Sequence, residues 1–189
     1  MSARLAAASL VLALAGCATG PAYPLLTPIT TAKEFGYAET ARGDNRFSIT
    51  YITPTDFAEP AVPRDTDAEA ARALGYDMAT WRAAQLALGG GFAGFHVSDR
   101  QADVTFFPDP LDLEFPQPYW GPSWWRLHQP IWQDGGPWFP PRLLVSAKVT
   151  IEVRLLHAPG ADDVAAAATI TRFEKAYPGA DGQPVPNKP

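Results

Sequence analysis

Hydrophobic and polar residues alternate most regularly over residues 143–156, where every second side chain from Leu143 onward is apolar. This period of two predicts a β-strand with one buried and one solvent-facing side, as in an antiparallel sheet that is covered on one face. A shorter run at 46–53 alternates in the same way. Because it follows turn-forming residues at 42–45 and another alternating stretch near Phe35, these pieces predict a β-hairpin.

Two more short strands are predicted at 92–97 and 103–107, with the charged residues 98–101 forming the turn between them. Residues 54–64 contain three prolines, which remove backbone hydrogen-bond donors and therefore end the hairpin. Together with 143–156, these segments give five predicted strands.

A first helix is predicted over 67–88, because apolar residues in its second half recur at helical spacing. Thr66 precedes Glu69 by three residues, the spacing of a reciprocal N-terminal cap. Three glycines at 89–91 end the helix, since glycine enters the left-handed conformation without steric cost. The predicted apolar stripe consists of Met78, Trp81, Ala84, Gln85 and Leu88.

A second helix is predicted over 164–177, with Asp162 or Asp163 as its N-terminal cap. Its predicted buried face consists of Ala166, Ile170, Phe173 and Tyr177. The order β-β-α-β-β-insertion-β-α predicts the α+β class: a small two-layer domain with helices on one face of a mainly antiparallel sheet.

The N-terminus carries a basic residue, Arg4, followed by an apolar run at 5–15 and the motif Leu14-Ala15-Gly16-Cys17. This order is typical of a secretory signal, and the run is too short to span a bilayer. Small residues directly before a cysteine match the signal of bacterial lipoproteins, which predicts acylation of the Cys17 thiol with chains such as palmitate. An ordinary signal peptide, cleaved after Ala15 or Ala18, is the alternative.

These features predict the organisation of the whole chain. Residues 1–16 are the signal peptide, and 17–33 are the lipid anchor and an extended Pro/Thr-rich tether with a reach of about 50 Å. Residues 34–177 form the domain, and 178–189 form a disordered tail. Ala18 stands where an Asp often retains such lipoproteins at the inner membrane, which favours the periplasmic face of the outer membrane.

An unusual insertion is predicted at 108–142, where nine prolines and eight aromatic residues fall within 35 residues. Segments of this length without secondary structure are often functional or disordered, and the aromatic content disfavours disorder. The insertion either packs over the open sheet face or exposes an aromatic surface that binds a ligand or partner. The candidate surface consists of Tyr119, Trp120, Trp124, Trp125, Trp132 and Trp138.

Charge and composition exclude several function classes. The net charge is −5, and it becomes −6 when Arg4 leaves with the signal peptide; with no cluster of basic residues, this argues against nucleic-acid binding. Cys17 is the single cysteine, so the chain can form no internal disulfide. The three histidines lack the spacing of a metal site, and no cofactor is expected.

Catalytic chemistry has one weak candidate in the sequence. His96 and Asp99 are close enough to suggest a base paired with a carboxylate, but beside Arg100 they also suit a solvated turn with an ion pair. The serines lack the Gly-x-Ser-x-Gly motif of a nucleophile elbow.

A family resemblance rests on the lipobox and three further segments: Phe35-Gly36-Tyr37-Ala38-Glu39, Asp44-Asn45-Arg46-Phe47-Ser48-Ile49-Thr50-Tyr51, and Arg82-Ala83-Ala84-Gln85-Leu86-Ala87-Leu88 followed by Gly91-Phe92. In these segments the chain resembles a family of proteobacterial envelope lipoproteins of unknown function. The resemblance covers about the first half of the domain. It implies an envelope lipoprotein and names no reaction or cofactor.

Three functions remain as hypotheses. The preferred one is a non-enzymatic lipoprotein, facing the periplasm, whose domain contacts another envelope component. The second is a module that binds glycan or peptidoglycan through its tryptophan-rich insertion. The third is an envelope enzyme with a site near His96 and Asp99.

Overall fold

The computed structural model describes residues 24–58, 63–108 and 143–182 and confirms the predicted α+β class. The described strands are Gly36–Gly43 (β1), Arg46–Ile52 (β2), Asp56–Ala58 (β3), Gly94–Pro108 (β4), Leu143–Leu156 (β5) and Val164–Ala165 (β6). The described helices are Asp65–Gly89 (α1) and Ala166–Ala176 (α2). None of the helices in these residues is long and apolar enough to cross a membrane.

All strand pairs of the sheet are antiparallel, in the order β1-β2-β5-β4-β6. Strand β5 lies at the centre and pairs with β2 on one edge and with β4 along its full length on the other. Strand β3 continues the β2 edge, where Asp56 pairs with Val145. The long alternating run in the sequence is therefore the strand on which the sheet is assembled.

The predicted hairpin is present as β1 and β2. Asp44 and Asn45 connect the strands with positive φ angles of 51° and 58°, the conformation that two-residue hairpin turns require. Ile49 and Tyr51 are fully buried on the helix-covered face, and Phe47 packs against the same core.

The prediction of two strands around a turn at 98–101 is wrong, because β4 is one strand of 15 residues. Its pairing with β5 runs from Gly94 to Pro108 and is interrupted only by a bulge between Val97 and Asp99. The long partner strand offers hydrogen bonds to the whole segment, and the bulge accommodates the extra residue at Ser98 without ending the ladder.

The core lies between one sheet face and the two helices. Alternate residues of β5 are buried there: Val145, Ala147, Val149, Ile151, Val153 and Leu155. Trp81 of α1 is fully buried and stacks on Phe173 of α2 with 5.9 Å between ring centroids. Its indole N–H has no acceptor among the described residues.

Helix α1 differs from the prediction at both ends. It begins two residues earlier, after the extended Arg64, and no side chain caps it, so the predicted Thr66 cap is wrong. Leu88 is 44% exposed and does not belong to the buried stripe. The glycine stop is confirmed: the N–H of Gly90 bonds the Leu86 carbonyl, and Gly91 has a φ of 77°.

Gly75, near the middle of α1, lies in close contact with the sheet. A Cβ placed on Gly75 would lie 2.5 Å from Cγ2 of Val149, a buried and β-branched side chain with little freedom to move. The missing side chain therefore lets the helix backbone rest directly on β5.

Helix α2 has the predicted face, with Ala166 and Phe173 buried and with Ile170 and Tyr177 packed against the core. Its predicted cap is wrong: Ala165 occupies the cap position and makes no side-chain cap. The Tyr177 hydroxyl donates to Asp77 of α1 at 2.6 Å. Burial, together with this carboxylate, raises the pKa of Tyr177 to about 12.

The tether prediction is wrong for residues 24–33, which pack against the domain. Leu25 and Leu26 are buried in the core. The Leu25 carbonyl accepts a bond from the Tyr51 hydroxyl at 2.8 Å, and the Leu26 N–H bonds the Ala180 carbonyl at 2.7 Å. Two leucines in a Pro/Thr-rich segment are too few to form a helical or alternating hydrophobic pattern. The free energy gained by burying them nevertheless outweighs the conformational entropy lost when the segment is ordered.

The tail prediction is likewise wrong at its start. Ala180 is buried, and its carbonyl accepts the Leu26 N–H bond, so the folded chain continues at least to Gly182. The rest of the predicted tail, residues 183–189, lies outside the described residues, as do 1–23.

Replacing Gly75 with Ala should lower the free energy of unfolding by roughly 1–3 kcal/mol, because the added methyl group overpacks the contact with Val149. Gly89→Ala is the matched control, since its Cβ would meet nothing within 4 Å. Urea unfolding followed by circular dichroism measures both variants. Equal stability of the two would contradict the close contact.

Replacing Leu26 with Ala should lower the free energy of unfolding by about 2–4 kcal/mol, since it removes a side chain that is only 6% exposed. Thr31→Ala, at an exposed position of the same segment, should change it by less than about 0.5 kcal/mol. Thermal unfolding of the two variants distinguishes a docked segment from a free tether, for which both substitutions would be neutral.

Candidate functional site

One face of the sheet is covered by neither of the described helices and is lined by polar side chains. Because side chains alternate along a strand, the residues of β5 between its buried ones point away from α1 and α2. Thr50 of β2 and Thr150 of β5 lie opposite each other there, with their hydroxyl oxygens 3.0 Å apart. We call this surface the helix-free face.

A cleft of about 510 Å³ lies at one end of the helix-free face. This volume is within the range of roughly 300–1,000 Å³ that small-molecule sites occupy. The strands supply its floor with Ile52, Thr105, Phe107, Ser146 and Lys148. The segment before β1 supplies its wall with Lys33, Glu34 and Phe35.

Strand register positions the floor. Thr105 pairs with Ser146, and Ile52 pairs with Lys148, so the floor side chains stand in adjacent rows across three strands. The wall is held by a tight turn in which Thr30 and Lys33 exchange backbone hydrogen bonds of 3.0 and 3.4 Å. Backbone pairing therefore holds both sides of the cleft.

Part of the polar lining already has a structural role. The Thr53 hydroxyl accepts a bond from the Ala147 N–H at 2.8 Å, and the Ser146 hydroxyl donates to the Thr53 carbonyl at 3.1 Å. These contacts extend the β2–β5 ladder past the end of β2.

The other polar side chains of the cleft form no hydrogen bond or ion pair with described residues. They are Lys33, Glu34, Thr55, Thr105 and Lys148. Within the described part of the chain, these donors and acceptors are available to a ligand.

Phe107 lines the cleft, and the next residue, Pro108, pairs with Leu143. Pro108, the first residue of the predicted insertion, therefore belongs to β4. The residues of the candidate aromatic surface lie outside the described residues: Tyr119, Trp120, Trp124, Trp125, Trp132 and Trp138. The predicted lipidation site, Cys17, also lies outside them.

The structure does not pair His96 with Asp99. Asp99 accepts bonds from the Arg100 N–H and the Gln101 amide, both of them local contacts. His96 Nδ1 lies 2.8 Å from Asp163, and since a carboxylate only accepts, the ring nitrogen donates. Neither His96 nor Asp99 lines the cleft.

Asp163 is the acidic partner that the sequence assigned to a helix cap instead. Its other oxygen accepts the Gly160 N–H at 2.8 Å. The Gly160 bond first, and the His96 bond next, lower the pKa of Asp163 below its ordinary value of 3.8, against a smaller opposing effect of burial. The pair joins β4 to the loop before β6. Because the two residues are 67 positions apart in the sequence, no local pattern links their side chains.

No group of three or more potential metal-ligating side chains occurs among residues 24–58, 63–108 and 143–182. Of the other two histidines, His157 stacks on Phe92 with ring centroids 4.4 Å apart, and His128 lies outside the described residues.

Sequence reasoning missed a half-buried arginine at the other end of the domain. Arg82 of α1 makes two bonds to Glu39 of β1, at 2.8 and 3.3 Å, and one to Gln85 at 3.1 Å. Its guanidinium lies 4.3 Å from the centre of the Tyr37 ring. These contacts connect the edge strand β1 to helix α1. Arg82 therefore has a structural role, in which its guanidinium is paired with the Glu39 carboxylate.

Three of the segments on which the predicted resemblance rests meet around this arginine: those at 35–39, 44–51 and 82–88. A second cleft, of about 400 Å³, is lined there by Asn45, Phe47, Arg82, Gln85 and Phe92 together with other apolar residues. The Arg82 guanidinium is already bonded to Glu39 and to the side-chain oxygen of Gln85, whereas five polar side chains of the first cleft have no described partner. The first cleft, on the helix-free face, is therefore the stronger candidate for a ligand site.

Comparisons of this chain with protein-family models, curated proteins and solved structures find no match.

The lowered pKa of Asp163 predicts an acid-sensitive contribution to stability. The folded state binds this proton more weakly than the unfolded chain, so the contribution is present above the ordinary pKa of 3.8 and is lost as the pH falls through the folded value. Asp163→Asn should therefore flatten the acid limb of a plot of melting temperature against pH. Asp162→Asn, at an exposed neighbour, is the control. Parallel acid limbs for wild type and Asp163→Asn would contradict this assignment.

Proposed function

We propose that this chain is a lipid-anchored protein of the bacterial envelope that acts by binding another envelope component and not by catalysis. Anchoring through Cys17 would place the α+β domain in the periplasm, on the inner face of the outer membrane. The lipoprotein signal in the sequence supports the anchor, and the cleft on the helix-free face supports binding.

The observation that carries the binding proposal is the set of unengaged polar groups in a cleft of ligand size. The side chains of Thr55, Thr105, Lys33, Glu34 and Lys148 line the cleft and form no hydrogen bond or ion pair with a described residue. Polar groups that converge in a cleft of this size are a usual mark of a binding site. The histidine considered for catalysis instead makes a link between β4 and a loop.

The docked N-terminal segment limits how far the domain can stand from the membrane. Because Leu25 and Leu26 belong to the core, only the seven Cα-to-Cα steps from Cys17 to Pro24 precede the described structure. Seven steps span at most about 25 Å, half of the reach expected for a tether of 17–33. The bound component therefore lies close to the bilayer surface.

Mass spectrometry of the mature protein, purified from membranes in detergent, tests the anchor. The expected N-terminal fragment begins at Cys17 and carries the mass of several acyl chains, because two or more chains are needed for stable anchoring. Cys17→Ser should remove the protein from the outer-membrane fraction, and Ala18→Asp should move it to the inner membrane. A mature N-terminus elsewhere, or an unmodified Cys17 thiol, would contradict the proposal.

A further inference from the structure

The unengaged groups of the cleft include both hydrogen-bond donors and acceptors. Lys33 and Lys148 donate, Glu34 accepts, and the hydroxyls of Thr55 and Thr105 do either. Asp103 stands opposite Lys148 in the pairing of β4 with β5, although the two form no ion pair. The cleft lining itself thus carries two positive groups and one negative group, and Asp103 lies next to it on the same face.

Apolar groups alternate with these polar ones. Phe107 and Ile52 project from the floor, and Phe35 lies in the wall. An aromatic face with polar groups around it suits a ring that has an apolar face and a polar rim.

This combination argues against several ligand classes. A nucleic acid or another polyanion requires a large excess of positive charge, which neither a lining of two lysines and one glutamate nor the acidic chain offers. A lipid chain requires a lining without this density of polar groups. A peptide that extends the sheet would pair with a strand edge, whereas the cleft lies on the face of three paired strands.

We infer that the cleft binds an uncharged saccharide, an inference that rests on the proposed binding function and specifies its ligand. Saccharide hydroxyls donate to Glu34 and accept from Lys33 and Lys148, with Thr105 able to serve in either sense. The C–H face of a pyranose ring packs on Phe107. A glycan of the cell wall carries this chemistry and lies within reach of a domain held near the membrane.

Isothermal titration of the full mature protein in detergent micelles tests the inference. The probe is N,N′-diacetylchitobiose, an uncharged disaccharide, and digalacturonic acid is the anionic comparison. Wild type should bind the uncharged probe more tightly than the anionic one. Thr105→Val should weaken that binding at least tenfold, about 1.4 kcal/mol, because it removes a hydroxyl and preserves the shape.

Thr171→Val is the matched control, since Thr171 is exposed on α2 and away from the cleft. Unchanged binding by this control, with a loss in Thr105→Val at equal melting temperature, supports the inference. No saturable heat with the uncharged probe, tighter binding of the anionic one, or equal effects of both variants would overturn it.

A photo-cross-linking amino acid at position 105, introduced in cells, separates this inference from the proposed function. Capture of an envelope protein by a chain that binds no saccharide overturns the saccharide assignment and leaves the binding function standing. Absence of both cross-linked product and saccharide binding overturns both.

Discussion

The structure depends on the burial of one side of β5 beneath helix α1. Six alternate residues of this strand face the helix, and the absence of a side chain at Gly75 lets the helix lie directly on Val149. Because β5 pairs with both β2 and β4, fixing its inward side also fixes which residues of its neighbours face the core. Trp81 and Phe173 then join α2 to the same layer.

Because the described core lies on one face of the sheet, polar side chains occupy the other face. The alternation that buries Val145 and Ala147 turns Ser146 and Lys148 outward, and their cross-strand neighbours Thr105 and Ile52 follow. The docked N-terminal segment adds a wall to this floor and shortens the link to the predicted anchor. Core packing and the position of the cleft floor thus share one cause.

Regular hydrophobic patterns and turn-forming residues within short segments make much of the fold predictable from sequence. The hairpin with its Asp44 and Asn45 turn, the glycine stop of α1, the buried face of α2 and the long strand β5 were all read correctly from sequence. Features that depend on distant partners were missed. The charged residues of β4 suggested a turn, and only pairing with β5 keeps them extended.

The candidate site shows the same limit. The cleft joins residues near positions 33, 52, 105 and 148, which no local pattern groups together. Leu25 and Leu26 lacked a period, and Asp163 was read as a cap although its partner is 67 residues away. The sequence indicated a binding surface only in the insertion at 108–142, whose candidate aromatic residues lie outside the described residues.

In-cell labelling with a maleimide tests most directly whether the helix-free face is the binding surface. An acylated Cys17 thiol does not react, so single cysteines placed at Thr105 and at Thr171 report on the cleft and on α2 separately. The account predicts that both label in the purified protein, but that position 105 is protected in intact cells while position 171 still labels. Equal labelling of both positions in cells would contradict it.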